Sequence, residues 1–565
     1  MPAQSYTPSP TYFCVSAVLI IMSRLAAAQT PPDFNIPRII MPPTIDGVVE
    51  ANEWKEATRI PVNIEVEPGD NLEAQVFAEA LLMENGEALY IAFIAEDPDP
   101  DQIRGFYQDR DTGWSGDWIG ITLDTFNDER RAFGFYVNPL GVQMDSIYDD
   151  VNQREDESWN GIWDSVGQIT ENGYTVELSI PLKQLRFAET GSIQTWGVDI
   201  GRQYPRDRVT MISSQEMDRD VSCYLCQISK MQGFGDLEPT RNLEIIPTAT
   251  ASSIENRDPI IGDWEREGFD PEGSLDVRWG ITQDIYLNAT INPDFSQIEA
   301  DSTQLDVNNT FSLFFPERRT FFLDGADYFD TYENLVHTRN IASPEYGLKL
   351  TGKTGDHTYG VVAANDETTS FIIPKSLSSR IASIENMKSK VAIGRYRMDL
   401  FENSTIGALV TNRRGSGYDN TVVSIDASLR PTDSDTISIQ SMHSSSNYPL
   451  MIQDQYSQES SISDISHVIE YQHSDRRWDW RLGYYDWGDD FRADLGFINR
   501  VDFKHIVATV GHTWRWDGDG FFSRIRFAAD YDRTEDQSGL QLEEETEFFL
   551  NMNGPKQSYL NGLFG

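Results

Sequence analysis

The chain has 565 residues, which is too long for one ordinary domain and predicts two or more. Its hydrophobic content of 39% suffices for packed cores and argues against a disordered chain. Acidic residues outnumber basic ones by 90 to 45, and a formal charge of −45 repels phosphate backbones, so nucleic acid is not expected as a partner.

The first predicted element is an apolar run over residues 12–22, followed by the small residues Ala26, Ala27 and Ala28. This order predicts a secretory signal peptide over residues 1–28, although residues 1–10 lack the usual Lys or Arg. The run is too short to be a transmembrane helix, and the sequence offers no other apolar run of that kind. Any insertion into a membrane would therefore use strands.

Short β-like runs follow and continue to about residue 240. Residues 89–95, 118–124 and 174–180 are examples, and turn signals such as Glu171-Asn172-Gly173 separate them. Many short strands at this spacing predict a β-sandwich, which we place at residues 29–240.

Two cysteines, Cys223 and Cys226, stand three positions apart near the end of this region. In a cytosolic protein this spacing would suggest redox or zinc chemistry, whereas in an exported protein it favours a local disulfide. A zinc site would need two further ligands, and the neighbouring sequence offers none. We therefore predict a disulfide between Cys223 and Cys226.

The pattern changes at about Asn242, where strict alternation begins. Residues 423–429, 478–484 and 525–531 each place an apolar residue at every second position. A membrane barrel with a lipid-facing exterior and a polar lumen requires this period, and a soluble antiparallel sheet with one wet face produces it as well. The barrel interpretation covers residues 241–565 and predicts about 12 to 16 strands.

The N-terminal region resembles a known family. The residues that carry the likeness are 44–47 (TIDG), 116–124 (GDWIGITLD), 135–145 (FYVNPLGVQMD) and 176–181 (VELSIP). Together they make about residues 40–205 similar to carbohydrate-binding module family 9, a β-sandwich that binds sugars and, in some members, calcium. The resemblance implies a polysaccharide or oligosaccharide partner.

The C-terminal region resembles a second family through residues 291–301 (INPDFSQIEAD), 314–325 (FFPERRTFFLDG) and 491–497 (FRADLGF). It looks like an uncharacterised family of Gram-negative outer-membrane barrels that carries the family-9-like module at its N-terminus. That likeness favours the barrel over the soluble sheet and implies an outer-membrane location, with membrane lipid as a partner. The chain ends mid-pattern at Gly565, so we expect an incomplete barrel.

The expected fold is therefore all-β, with an N-terminal β-sandwich followed by an antiparallel outer-membrane β-barrel. Within the barrel region, residues 316–322 mix charges with aromatic rings and lie in a long irregular stretch, residues 298–339. A stretch of this kind predicts a plug or rim segment rather than a strand.

Sugar recognition needs exposed aromatic faces with polar groups beside them. Trp114 and Trp159 lie in Gly- and polar-rich loops and are the best stacking candidates, with ordinary loop packing as the alternative. Asp145 and Tyr148 are weaker candidates for the same site. Trp118 and Trp163 begin strand patterns and are expected in the core.

Calcium is the one metal that the sequence suggests. Asp97, Asp99 and Asp101 space three carboxylates two positions apart, and calcium binds six to eight oxygens from such loops. A solvated acidic turn is the commoner outcome for this pattern.

The leading expectation is carbohydrate binding at the outer membrane or cell surface, serving polysaccharide capture or catabolism. One alternative is a glycoside hydrolase acting on O-glycosyl bonds, but with 90 acidic residues any nominated pair of carboxylates is uninformative. The other alternative is a structural or transport barrel with a partner-binding sandwich. The sequence assigns no catalytic residue and leans away from an enzyme.

Overall fold

The computed structural model describes residues 33–188, 193–235, 242–257, 262, 264–293, 309–384, 387–401, 403–516 and 520–565. The predicted signal peptide, residues 1–28, lies outside the described residues. The fold is almost entirely β, as the sequence predicted, and the described residues form two large sheets that share no strand, the first mainly and the second entirely antiparallel. Among the described residues, no helix is long and apolar enough to cross a membrane.

The first large sheet contains strands β1 to β13. Their bounds are Phe34–Asn35 (β1), Thr58–Glu67 (β2), Leu72–Glu84 (β3), Ala88–Glu96 (β4), Trp118–Asp124 (β5), Arg131–Val137 (β6), Gln143–Asp149 (β7), Arg154–Asp156 (β8), Asp164–Thr170 (β9), Gly173–Pro181 (β10), Gln194–Pro205 (β11), Val209–Ser213 (β12) and Ser229–Gly233 (β13). Their order is β8-β7-β6-β5-β11-β12-β2-β3-β4-β10-β9, with β13 beside β11 and β1 beside β13. Two short 3₁₀ helices, Pro100–Gln102 and Leu182–Gln184, join strands.

This sheet folds over itself into a sandwich with one apolar core. The core draws residues from both halves, including Ile121 and Phe135 from β5 and β6 and Phe93 and Leu178 from β4 and β10. Alternation explains the choice of residues, because Ile119, Ile121 and Leu123 share the inward face of β5 and are fully buried.

The second large sheet contains fifteen strands within the described residues, each paired with the next in chain order. Their bounds are Leu243–Arg257 (β14), Trp264–Gly280 (β15), Ile285–Ile291 (β16), Pro344–Thr354 (β17), His357–Asp366 (β18), Ser389–Leu400 (β21), Ser404–Gly415 (β22), Tyr418–Thr432 (β23), Asp435–Asn447 (β24), Ser461–Ser474 (β25), Trp478–Trp487 (β26), Phe503–Arg515 (β27), Arg524–Glu535 (β28), Gln541–Asn553 (β29) and Tyr559–Phe564 (β30). A separate hairpin, Thr369–Pro374 (β19) with Ser379–Ile384 (β20), lies between β18 and β21. The remaining elements are the helices Thr320–Leu323 (α1) and Leu450–Tyr456 (α2) and the 3₁₀ helices Ala326–Phe329 and Thr338–Asn340.

The second sheet is apolar on its outside and polar on its inside. On β22, Ile406 and Val410 point outward and are 38% and 44% exposed, whereas Thr411 and Arg413 point inward and are buried. The same outward exposure is found at Leu348, Val361, Val423, Ile425, Ile439, Ile465, Ile469, Leu482, Ile506, Val510, Phe527 and Phe548. Buried polar residues of the inward face include Asn288, Lys349, Arg395, Ser424, Gln440, Ser444, Ser466 and Glu470. This sheet therefore has the lumen and exterior of a barrel.

The lumen is filled by residues 309–343, which we call the plug. Phe322 and Phe329 of the plug pack against inward side chains such as Leu409. Polar wall residues also bind the plug backbone, since the Gln440 amide oxygen accepts from the Glu333 N–H at 2.8 Å. The structure thus puts residues 316–322, predicted as a plug or rim segment, inside the barrel.

Candidate functional site

The four residues predicted to bind sugar lie on two different faces of the sandwich layer formed by β5, β6 and β7. Asp145 pairs with Phe135 across β6 and β7, and both point into the core. Tyr148 pairs with Ala132 on the opposite side of the same strands, outside that core. Successive residues of a strand point to opposite faces, and Asp145 and Tyr148 are separated by an odd number of positions. The two side chains therefore cannot belong to one surface.

Asp145 is fully buried and holds its neighbourhood together. Its carboxylate accepts hydrogen bonds from the Gly161 N–H at 2.7 Å, the Trp163 indole at 3.0 Å and the Arg110 Nε at 3.1 Å. Burial raises the pKa of Asp145, and these three donors work against that rise. The arrangement suits a residue that fixes the loop containing Gly161 and Trp163 in place.

Trp159 also belongs to this inner cluster. Its half-buried ring lies 5.1 Å from Phe133 and 5.7 Å from Phe135, both of which are core residues. Asp111 borders the cluster and accepts a hydrogen bond from the Asp145 N–H at 2.9 Å. Burial raises the pKa of Asp111 to about 6, and the charge of Asp145 adds to the effect.

The other face of the layer carries a set of aromatic rings that we call the outer aromatic face: Trp114, Trp118, Tyr136, Tyr148 and Tyr224. Trp114 lies 5.3 Å from Tyr136, and Trp118 lies 5.2 Å from the same ring, both in edge-to-face contact. Tyr148 and Tyr224 meet edge to face at 5.7 Å. Four of the five rings keep part of their surface exposed, and only Trp118 is buried, at 8%.

Two glycines in the strands beneath these rings make the close packing possible. A Cβ atom added at Gly120 would lie 2.3 Å from a Tyr136 ring carbon, and one added at Gly134 would lie 2.5 Å from another. Any other residue at either position would push the Tyr136 ring out of its present place.

Polar groups lie among the rings. The Tyr136 and Thr122 hydroxyls are 3.0 Å apart, the Tyr224 hydroxyl donates to Asp199 at 2.8 Å, and the Ser146 hydroxyl donates to Glu155 at 2.6 Å. Burial raises the pKa of Tyr136 and of Tyr224, so both phenols keep their protons at neutral pH. Rings flanked by hydroxyl and carboxylate groups are the combination that sugar recognition uses.

The two indole N–H groups of this face have no hydrogen-bond partner among the residues that the structure describes. The Nε1 atoms of Trp114 and Trp118 are buried and are unsatisfied within the described residues. Buried polar groups are normally paired, and an unpaired one costs about 1 to 3 kcal/mol. An acceptor supplied by a ligand would remove that cost.

Sequence reasoning placed Trp114 and Tyr148 among the candidates but missed Tyr136 and Tyr224. The alternation in β6 could have indicated Tyr136, because Phe133 and Phe135 point to one face of the strand and Tyr136 points to the other. Tyr224 lies between the two cysteines, and no periodic pattern covers that loop. Trp163, expected in the core, is there at 5% exposure.

Cys223 and Cys226 form a disulfide in the structure. The bridge closes a tight loop that presents Tyr224 to the outer aromatic face, and the Leu225 N–H donates to Asp150 at 3.0 Å. The loop thereby covers one end of the face.

The three carboxylates proposed for calcium do not converge. Asp97 is buried against the Arg206 guanidinium, which also binds Asp117, and its other oxygen accepts from the Asp99 N–H at 2.9 Å. Asp101 is exposed. Within the described part of the chain, no group of three or more His, Cys, Asp or Glu residues is arranged to hold a metal ion.

These features define an all-β protein in which a sandwich with an aromatic face precedes a plugged barrel. Residues 45–213 match the family model described as carbohydrate family 9 binding domain-like, and residues 239–373 match the model of a domain of unknown function, DUF5916. Both matches confirm the resemblances predicted from the sequence. No curated protein matches the chain.

Solved structures align weakly with the chain, and we give three of them. One is described as a "putative carbohydrate-binding protein" from Bacteroides uniformis ATCC 8492, with 9% identity, 35% of this chain and 97% of that chain covered, and a TM-score of 0.29. OccAB2 of Acinetobacter baumannii shows 10% identity, 80% and 92% coverage and a TM-score of 0.25. OpdK of Pseudomonas aeruginosa, solved with vanillate, shows 6% identity, 78% and 87% coverage and a TM-score of 0.25. These scores are too low to support any inference beyond the similarity itself.

Proposed function

We propose that this chain is a saccharide-binding protein held in the outer membrane of a Gram-negative bacterium, where it serves the capture of polysaccharide or oligosaccharide. The sandwich supplies the binding surface, and the barrel supplies the contact with membrane lipid. The family-9-like match over residues 45–213 supports the ligand class.

The observation that carries the proposal is the outer aromatic face. Sugar rings stack on exposed aromatic faces through their C–H groups, and their hydroxyls need donors and acceptors close by. This face offers both, because Trp114 and Trp118 bring unpaired indole donors and Tyr136 and Tyr224 bring phenol hydroxyls.

The membrane half of the proposal rests on the exterior of the second sheet. Ile425 is 58% exposed and Val361 is 50% exposed, and residues like them recur at alternate positions around the sheet. Water would penalise so much apolar surface, whereas a hydrocarbon layer accepts it.

Glycan binding by the full-length chain in detergent tests the ligand. We expect Trp114→Ala to weaken binding by about 1 to 3 kcal/mol, the range for loss of an aromatic anchor. The matched control is Phe77→Ala, since Phe77 is an aromatic residue 40% exposed on the other layer of the sandwich. Affinity should be measured by calorimetry against a broad glycan panel, with melting temperatures of the same samples.

Three results would overturn the assignment: no binding to any glycan by the wild type, equal affinity in wild type and Trp114→Ala, or equal losses in Trp114→Ala and Phe77→Ala. Release of reducing sugar by the wild type would instead show that the chain is a hydrolase.

A further inference from the structure

The two ends of the barrel differ in the lengths of their connections. One end carries the short turns 281–284, 355–356, 433–434, 475–477 and 554–558, together with the connections that follow β21 and β27. The longest connections, which are 448–460, 488–502 and those that follow β16 and β18, leave the strands at the opposite end. In outer-membrane barrels the short turns face the periplasm and the long loops face the exterior.

The sandwich is docked on the short-turn end, where it bonds to five of the seven connections. The Cys226 sulfur accepts from Asn403, and the Ser222 N–H donates to the Asp433 carbonyl at 2.7 Å. The remaining contacts around the rim are Asp220 with Arg476, Arg208 with Gly520 and Asp207 with Lys556. The sandwich therefore spans the mouth of the barrel rather than touching it at one side.

Buried charges strengthen this contact. The Lys353 ammonium of β17 lies between Asp128 of the sandwich and Asp399 of β21, at 2.7 Å from the latter. Asp150 of the sandwich pairs with Arg430 of β23, and both side chains are at least nine-tenths buried. Removing one partner of such a pair leaves an uncompensated buried charge, so the docked state is strongly specified.

Arginines of the sandwich reach through the mouth to the plug. Arg186 is 3% exposed, and its guanidinium binds Asp324 of the plug at 3.0 Å and the Thr351 hydroxyl at 2.8 Å. The same group lies 4.6 Å from the ring centre of Tyr286 on β16 and 5.0 Å from that of Tyr328 in the plug. A second link joins Arg131 of the sandwich to Asp327 of the plug at 2.8 Å.

We propose that the sandwich is the periplasmic gate of the barrel, and that Arg186 latches it to the plug. Sandwich and plug then move as one body. The outer aromatic face borders the docked surface of the sandwich, because Tyr148 is two residues from Asp150 and its Arg430 partner, so any ligand of that face is bound on the periplasmic side of the membrane. This inference rests on the outer-membrane location proposed above but does not depend on saccharide binding.

Accessibility in intact cells tests the side. Lys55→Cys places a thiol on an exposed position of the sandwich, and Leu450→Cys places one in α2 at the long-loop end, where Leu450 is 73% exposed. Cys223 and Cys226 are joined in a disulfide and do not compete, and the third cysteine, Cys14, lies in the predicted signal peptide. We expect a membrane-impermeant maleimide to label Leu450→Cys in intact cells and Lys55→Cys only after the outer membrane is permeabilised. The reverse pattern would overturn the periplasmic assignment, and so would equal labelling of both.

Permeability tests the gate. In liposomes containing the full chain, we expect Arg186→Glu to raise the rate of swelling in a small sugar by about tenfold, because like charges at Asp324 shift the population toward the undocked state. Lys55→Glu makes the same charge change on an exposed sandwich residue and should leave the rate unchanged.

Misfolding of Arg186→Glu would be detected by loss of the heat-modifiable barrel band in gel electrophoresis. A charge swap in the ion pair between Arg131 and Asp327 provides the independent test. Arg131→Asp should open the barrel, and the double variant Arg131→Asp with Asp327→Arg should close it again. Wild-type rates in both folded Arg186→Glu and Arg131→Asp would overturn the gate, whatever glycans the protein binds.

Discussion

The sandwich and the barrel use the same alternation with opposite results. On β5 of the sandwich, the apolar face that contains Ile119 and Ile121 is fully buried. On β22 of the barrel, the apolar face that contains Ile406 and Val410 is the exposed one, and Arg413 on the opposite face is completely buried. A period of two thus defines a strand and its two faces, whereas the surroundings of the sheet decide which face is solvated.

In the barrel, polar and charged side chains of the interior are packed against one another and against the plug. Arg413 is paired with Asp366 at 2.7 Å, and its guanidinium also donates to the Asn340 carbonyl of the plug. The sandwich core is mainly apolar: the pair of Arg206 with Asp117 lies at the ends of strands, and the buried Asp145 meets Arg110 at the border of the core. Four substitutions would break or sharpen this contrast.

The largest effect is expected at the sandwich core. Phe93→Ala removes a fully buried ring and should lower the free energy of unfolding by about 3 to 5 kcal/mol. Urea unfolding of the detergent-solubilised chain, followed by near-ultraviolet circular dichroism, measures it. Phe77→Ala, at a ring 40% exposed in the same sandwich, should stay within about 0.5 kcal/mol of wild type. Equal losses in the two variants would contradict the placement of the core.

The next effect concerns the barrel exterior. Ile425→Arg puts a charge on the surface assigned to lipid and should destabilise the bilayer-embedded protein by about 2 to 4 kcal/mol. Its counterpart is Ile169→Arg on β9 of the sandwich, where the side chain is 39% exposed and the change should cost no more than about 0.5 kcal/mol. Unfolding of both variants from lipid vesicles gives the comparison. A harmless Ile425→Arg would show that water, and not lipid, covers the sheet.

A smaller effect separates the two faces of the sandwich layer. Trp159→Ala should cost about 1 to 3 kcal/mol of stability, because the half-buried ring packs on Phe133 and Phe135. Glycan affinity should remain at the wild-type value, since Trp159 lies opposite the outer aromatic face. Calorimetry measures the glycan affinity and melting curves measure the stability of the same Trp159→Ala sample. A loss of affinity with unchanged melting would move the binding site to the inner cluster.

The smallest effect is a pH dependence. The pKa of Asp111 is raised to about 6 in the folded sandwich, so the folded state holds a proton that the unfolded state releases near pH 4. Stability from this group is therefore complete below about pH 4 and is lost as pH rises toward 6, by about 1 kcal/mol after solvent screening.

Melting temperatures between pH 4 and 7 test this sign. Asp111→Asn keeps an acceptor for the Asp145 N–H and should flatten the profile. A stability of the wild type relative to Asp111→Asn that stays constant or rises over the same interval would refute the assignment of a raised pKa.

Part of the candidate site could be found from the sequence, and the residues that were missed depend on contacts between distant segments. Trp114 and Tyr148 were identified by residue type and by loop or strand context. The sequence could not show that Asp145 and Trp159 face the core, because that depends on which layer covers β6 and β7. Tyr224 joins the site only because the disulfide loop folds back over Asp199, a contact between residues 25 positions apart.

By itself, the sequence determined the all-β class, the presence of two regions and the alternation in each, because strand periodicity and turn signals are local properties of the chain. Its motifs also identified both family resemblances. Only the tertiary structure decided that the plug fills the lumen, that five aromatic rings share one face, and that the sandwich lies over the short-turn mouth with Arg186 bound to Asp324. Those features are contacts between distant segments, and the free energy that fixes them comes from burial and charge pairing across surfaces that no single stretch of sequence contains.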